Sequence, residues 1–302
     1  MPNPATLKVA ALVIAIGPLH AWPTGQSSNE VRNERRPAFE VASIKSLQSR
    51  PRLLGGGCGG TDDRPGTGAL AAMAGVSFAP TPPGVCSWTA VTLKMLIVDA
   101  YGLSPPGLVD KLLVGGPDWI DSNLYEIRAK AEMPAPRAQL RLMLQTLLAD
   151  RFGFAFHRET RHERGFALVV ASDGPKMQKA TGQEKQPGIF RSGGPWRGES
   201  VSMREFSTFL STRLRRPVVD ETKLPGGYTF TLRWTPGDDE QIGLGTFTLT
   251  PEMRDKLRQI DPPDGPTLYT ALQEQLGLRL EQRREVPVEM MIIDRAHLPT
   301  EN

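Results

Sequence analysis

The sequence contains few of the residues that most often build metal and cofactor sites. Its 302 residues include two cysteines and four histidines. Between residues 21 and 156 the two cysteines have no histidine or further cysteine near them, so a four-ligand zinc site there lacks ligands. We therefore predict neither a bound metal nor a cofactor.

An excess of one charge sign is also missing. The chain has 36 Lys and Arg against 33 Asp and Glu, a net charge of +3. Proteins that bind nucleic acid usually carry a concentrated basic face, so this balance does not support a nucleic-acid partner. No apolar run reaches the roughly 20 residues that a membrane-spanning helix needs. We expect no transmembrane segment in the mature chain.

Catalytic and phosphate-binding motifs are absent from the sequence as well. It has no G-x-S-x-G motif, and the glycine-rich stretch 53–68 lacks the G-K-[S/T] ending of a phosphate loop. The densest polar cluster, HRETRHER at 157–164, does not have the spacing of a helical HExxH zinc site. We interpret it as a solvated hairpin with cross-strand ion pairs. No catalytic residue is predicted.

The N-terminus has the pattern of an export signal. Lys8 precedes an apolar run at 9–16, and Ala21 supplies the small residue that a signal peptidase requires. We predict a signal peptide at 1–21, a flexible leader at 22–37, and a periplasmic or extracellular mature protein. The alternative is a buried or frayed N-terminal helix.

The two cysteines fit this compartment. Cys58 and Cys86 form an even pair, which in an exported protein indicates a disulfide. The bridge would close a Gly-, Pro- and Ala-rich loop ahead of the first helix, and we expect it to order this surface feature. Two buried free thiols or half of a metal site are the alternatives.

The periodicity of the remaining chain predicts an α+β fold. A helix with apolar residues three or four apart is followed by two alternating strands, and this unit recurs four times with unequal lengths. We predict repeated helix-then-β-hairpin units that form a mostly antiparallel sheet with helices packed on one face. The predicted helices span 89–101, 136–151, 202–213 and 267–276. The predicted strands include 39–44, 125–131, 154–156, 166–171, 218–219, 228–234, 278–281 and 288–293.

Particular residues mark the ends of these elements. Gly102 is expected to stop the first helix, and Ser202 with Glu205 matches a capping box at the start of the third. Arg164 and Gly165 are expected near the turn of the second hairpin.

Two polar segments suggest a division of the chain into lobes. Residues 172–200 and 235–265 have the composition of linkers, with a short helix expected at 251–260. We predict a first α+β lobe at 38–180, including the disulfide loop 58–86, and a second α+β lobe at 201–302.

One group of residues is a candidate for a binding groove. Asp118 and Trp119 lie in the loop GGPDW at 115–119, and Tyr125 follows at the start of a strand. They are candidates for contact with a ligand, although aromatic residues at such positions more often belong to the core.

Many of these segments also match a known family. They are FEVASIK (39–45), TLKMLIVDAYGL (92–103), GGPDWIDS (115–122), YEIRAKA (125–131), MLQTLLADRFGFAFHRETR (143–161), ALVVASDGPKM (167–177), RPVVDET (216–222), YTFTLRW (228–234), LYTALQEQLGLRLE (268–281) and VEMMIIDRAHLPTEN (288–302). In them the chain resembles the soil-associated family of exported proteins of unknown function that is expanded in acidobacteria. The resemblance implies export but no activity or site residue.

The sequence favours a non-enzymatic binding or interaction module of the periplasm or cell exterior. Its partner would be another envelope protein or a small ligand, and pairing along a strand edge would be the natural mode. The alternatives are a secreted hydrolase whose site is assembled from distant loops, such as a pair of acids, and an extracytoplasmic ligand-sensing domain.

Overall fold

A computed structural model describes residues 36–49, 55–63, 81–184, 187–191, 195–235 and 265–299. The predicted signal peptide, nearly all of the leader, the centre of the disulfide loop and the helix predicted at 251–260 lie outside these residues.

The described residues form an α+β fold with mostly antiparallel strands. The strands are β1 (Val41–Leu47), β2 (Gly55–Cys58), β3 (Val85–Val91), β4 (Leu113–Gly115), β5 (Leu124–Lys130), β6 (Ala155–Val170), β7 (Gln178–Lys179), β8 (Gly188–Arg191), β9 (Trp196–Ser202), β10 (Val218–Asp220), β11 (Gly227–Leu232) and β12 (Leu278–Arg295). The α-helices are α1 (Leu93–Tyr101), α2 (Val109–Leu112), α3 (Trp119–Ser122), α4 (Arg137–Phe152), α5 (Met203–Leu214) and α6 (Leu268–Ala271). A 3₁₀ turn (Pro106–Leu108) precedes α2, and a π-helical turn (Leu272–Leu276) continues α6.

These strands form three sheets. The first has the order β1-β5-β3-β2, the second β10-β6-β12-β4 and the third β7-β11-β9-β8. All neighbours are antiparallel except β10 with β6 and β4 with β12, which are parallel.

The helix ends follow the local chemistry of the chain. Helix α1 starts later than predicted, because β-branched Thr89 and Val91 extend β3 and the Thr92 hydroxyl accepts the Met95 N–H at 3.2 Å as an N-cap. Gly102 ends this helix in the left-handed region with φ of 60°, as predicted. The predicted capping box of α5 is confirmed.

The predicted hairpins at 154–171 and 278–293 are wrong. β6 and β12 are each one continuous strand, and they pair with one another, so that Leu278 lies opposite Val170 and Ile293 opposite Phe156. Gly165 does not make a turn. Instead it allows the chain to approach closely, because a Cβ at this position would lie 2.3 Å from the Pro217 carbonyl oxygen.

The buried side chains form three clusters. The first lies among the first sheet, α1 and α4 and includes Trp88, Ile127, Leu144 and Phe152. The second lies among α5, α6 and the third sheet and includes Phe206, Leu210, Phe230 and Leu272. The third is smaller and joins Leu108 and Leu112 to Val286, Val288 and Met290 of β12.

The Cys58–Cys86 disulfide is present and lies deeper than expected. The two cysteines face one another across β2 and β3, and both belong to the first cluster. The bridge therefore joins two neighbouring strands at the core, in addition to closing the loop.

Candidate interaction site on the edge of β6

The outer edge of β6 is open over ten described residues and carries polar side chains on both faces. β12 covers one side of β6 along nearly its whole length, but on the other side β10 pairs only with Phe166–Leu168. Within the described residues, no strand and no backbone hydrogen bond reaches the outer edge between Ala155 and Arg164. Because alternate residues of an antiparallel strand direct their N–H and C=O groups away from the partner, this edge presents unpaired backbone groups.

Local contacts set both limits of this open stretch. At its end, the Phe166 N–H donates to the Pro217 carbonyl at 2.8 Å, where β10 begins. At its start, the Phe154 N–H donates to the Leu148 carbonyl at 3.2 Å, which ties the chain to the last turn of α4. We call residues 155–164 the open edge.

The register with β12 assigns the side chains of the open edge to two faces. Those opposite Val286, Val288, Met290 and Ile292 share one face. This set, the charged row, consists of His157, Glu159, Arg161 and Glu163. The other face carries Phe156, Arg158, Thr160, His162 and Arg164, by the alternation of a strand.

Ion pairs connect the side chains of this segment, but not across the predicted hairpin. Arg161 donates to both carboxylate oxygens of Glu159 at 2.9 and 3.1 Å, and this hydrogen bond lowers the pKa of Glu159. Lys111 lies 3.8 Å from Glu163. On the opposite face Arg158 pairs across the strands with Glu289. Arg161 and Glu159 are 47% and 43% exposed, and solvent screens such exposed pairs, so the pair contributes little to stability.

Charges on a strand edge affect strand pairing as well as stability. Charged side chains on an edge strand oppose unspecific pairing with other strands. Like charges directly opposite one another are unfavourable, and opposite charges are favourable.

An aromatic group lies at the start of the open edge. The ring of Phe156 is 4.8 Å from that of Tyr101 and 5.6 Å from that of Phe154. The Arg158 guanidinium lies 5.9 Å from the Phe156 ring. This end offers an apolar contact beside a cation.

His157 and Asp294 form the arrangement most similar to catalytic machinery. The Nδ1 atom of His157 is 2.7 Å from Asp294 Oδ1, the contact that orients a general base in many hydrolases. Both side chains are about half exposed, at 55% and 46%, on an open sheet surface. No serine, threonine or cysteine in the described part of the chain hydrogen-bonds to His157. This pair alone therefore has neither a nucleophile nor the enclosed site that catalysis needs.

A second surface feature is a groove of about 400 Å³ between residues 38–42 and α4. Phe39, Val41, Met143 and Leu147 supply its apolar lining, and its polar lining consists of Glu40, Thr146, Asp150 and Arg151. The groove therefore combines apolar side chains with two carboxylates and a guanidinium.

The candidate groove residues from the sequence differ in their burial. Tyr125 is 1% exposed, its ring packs edge-on against Phe152 at 5.4 Å, and burial raises the pKa of its phenol. Tyr125 thus belongs to the core, which the sequence left open as the alternative to ligand contact. Trp119 is half-buried against the first cluster, and Asp118 is exposed at the start of α3. A groove at Asp118 and Trp119 stays a prediction.

Sequence reasoning singled out HRETRHER but missed the edge. The polar run 157–164 continues into the apolar run FALVV without a turn residue apart from Gly165. That continuity is the signal of one long strand. β10 begins only at the level of Phe166, which leaves the edge before it open, and this position has no local signal in the sequence.

Membrane-spanning helices and metal-binding clusters are both absent among the described residues. No helix among them has the length and apolar composition to cross a membrane. None of their His, Cys, Asp and Glu side chains cluster in groups of three or more that would suit a metal ion.

Comparison with known proteins places the chain in a family. No curated protein and no solved structure matches it. The family described as protein of unknown function DUF3738 matches residues 94–296, a span that includes β6, β10 and β12. The chain therefore belongs to the DUF3738 family.

Proposed function

We propose that this protein is an exported, non-enzymatic interaction module that binds a polypeptide by adding an extended strand to the open edge of β6. The observation that carries the proposal is the stretch Ala155–Arg164, whose outer edge no described residue pairs with. Strand addition supplies affinity through main-chain hydrogen bonds and specificity through alternate side chains.

The size of the open edge suits a whole partner strand. Ten residues of strand extend about 33 Å, whereas a typical strand has about 5–6 residues. In the complex, the charged row would contact side chains of the partner strand on one face of the sheet. Phe156 and Arg158 would contact those on the other face.

Export is the second part of the proposal. The apolar run at 9–16 and the Cys58–Cys86 disulfide support it, since disulfides persist in oxidising compartments. The resemblance to the soil-associated exported family agrees with it.

Site-specific photo-crosslinking tests this function. We expect a photoreactive residue at Thr160, which is exposed in the middle of the open edge, to link the mature protein to a partner in cell-envelope preparations. The matched control places the same residue at exposed Gln139 on α4, where no link is expected. In the same sample, amide exchange should slow within 155–164.

Two outcomes would contradict the proposal. Equal products from positions 160 and 139, or none from either, would remove the edge as the binding site. The intact mass of the recovered protein should correspond to a chain that begins near Trp22, and retention of Met1 would remove the export part.

A further inference from the structure

We infer that the strand added to the open edge is β6 of a second copy of this chain, antiparallel and centred on Thr160. This inference rests on the proposed function and names the partner. The two copies would form one continuous sheet in which the two β6 strands are neighbours.

Symmetry restricts the possible registers. A two-fold axis perpendicular to a sheet returns each face to itself, so residues directly opposite must lie on the same face. Because faces alternate along a strand, one residue must then lie opposite its own counterpart. The outer edge is open from Ala155 to Arg164, so a register centred on Glu159 or on Thr160 pairs nine of its ten residues, more than any other symmetric register. The register centred on Thr160 is therefore one of the two that use nearly the whole edge.

Charge complementarity selects the same register. With Thr160 at the centre, Glu159 lies opposite Arg161 of the second copy, and His157 lies opposite Glu163. By symmetry each contact occurs twice, so in both copies Glu159 faces a guanidinium and Glu163 faces an imidazole. Phe156 lies opposite Arg164, a cation beside an aromatic ring.

The neighbouring registers are unfavourable. A register centred on Glu159 places the Glu159 carboxylates of the two copies opposite one another. A register centred on Arg161 places the two Arg161 side chains opposite one another and Glu159 of one copy opposite Glu163 of the other. Like charges directly opposite destabilise strand pairing.

The existing ion pairs reinforce this arrangement. Arg161 already holds Glu159 within the chain. Across the two-fold axis the two pairs would form a ring of four alternating charges. On the other face Arg158 lies opposite His162 of the second copy, but Arg158 already pairs with Glu289 in its own chain.

Cysteine crosslinking tests the register directly. In the Thr160→Cys variant the two new cysteines would have Cα atoms about 4.5–5.5 Å apart, within the range of a disulfide. We expect mild oxidation to convert this variant into a covalent dimer. In the matched Arg164→Cys variant the two cysteines would be about 26 Å apart, eight residues along the strand, so at least ten-fold less dimer is expected.

A charge exchange tests the complementarity. We expect Glu159→Arg and Arg161→Glu each to weaken self-association at least ten-fold in sedimentation equilibrium, because each places like charges opposite. The double variant E159R/R161E restores opposite charges and should return to within about three-fold of wild type, which also excludes misfolding as the cause.

The outcomes separate this inference from the proposed function. A wild-type protein that sediments as one chain at all concentrations, with no dimer from Thr160→Cys, would overturn the second copy as partner. Crosslinks from position 160 to another protein would then leave the proposed edge function intact. Failure of both experiments would remove both.

Discussion

At the scale of single residues, Arg137 joins the disulfide segment to α4. Its guanidinium donates to both carboxylate oxygens of Asp63 at 2.8 and 2.7 Å and to the Cys58 carbonyl at 2.8 Å. Its backbone N–H donates to Asp62 at 2.7 Å, so the start of α4 is capped by a residue far away in the sequence. The hydrogen bond from Arg137 lowers the pKa of Asp63, and burial opposes it.

The contribution of this contact should depend on pH. Asp63→Asn is expected to lower the free energy of unfolding at pH 7 by about 1 kcal/mol, because the ion pair is lost and the amide has only one oxygen to accept from the Arg137 guanidinium. The pKa of Asp63 is lower in the folded than in the unfolded state, so its carboxylate stabilises the fold at pH values above the unfolded pKa of about 4. This stabilisation is lost as the pH falls through the folded pKa. The difference between variant and wild type should therefore shrink between pH 4 and pH 2.

Urea denaturation across this pH range measures the effect. Glu126→Gln is a matched control, because its partner Arg128 is 74% exposed and the loss should stay within about 0.5 kcal/mol. The role of Arg137 would be contradicted if Asp63→Asn lowered the free energy of unfolding no more than Glu126→Gln does, or if this loss did not change with pH.

At the scale of elements, the start of α5 is stabilised by its own sequence. Ser202 Oγ accepts the Glu205 N–H at 3.2 Å, and the Glu205 carboxylate accepts the Ser202 N–H at 2.9 Å. Both hydrogen bonds arise from residues three apart, so the capping box could be predicted. The helix then buries Phe206 and Leu210 in the second cluster.

Removal of this cap should be measurable. Ser202→Ala is expected to reduce the free energy of unfolding by about 1 kcal/mol, because an N–H at the helix start loses its acceptor. Ser202→Asp keeps an acceptor and should remain close to wild type. Chemical denaturation of both variants measures the difference, and equal losses would show that the hydroxyl does not act as a cap.

At the scale of the whole molecule, the β6–β12 pair connects the two large clusters. Phe166 and Leu278 at one end belong to the second cluster, and Met291 and Ile293 towards the other end belong to the first. The two predicted lobes, 38–180 and 201–302, stay a prediction, but each supplies one strand of this pair.

We expect the two large clusters to unfold together. Leu168→Ala, in β6 and fully buried, should lower the free energy of unfolding by about 2–4 kcal/mol. Native-state hydrogen exchange should show the same loss in α4 and in α5, which belong to different clusters. A loss confined to α5 would show that the lobes unfold independently.

Much of the local structure could be predicted from the sequence, and the site only in part. The stop at Gly102, the cap at Ser202 and the ion pairs of HRETRHER depend on neighbours within a few residues or on strand alternation. The predicted turn at Gly165 was wrong, because glycine serves turns and close approaches equally well and only the position of Pro217 distinguishes them.

The sequence by itself determined the α+β class, the family, the cysteine pair and the unusual charge pattern of residues 157–164. These depend on composition, periodicity and short spacings. Only the tertiary structure decided that β6 pairs with β12 rather than with itself, and that β10 begins at the level of Phe166. Strand pairing joins residues more than 100 positions apart, as between Phe156 and Ile293, so no local pattern specifies it. The open edge on which both proposals rest is therefore a property of the fold, while the charges that would choose its partner were already visible in the sequence.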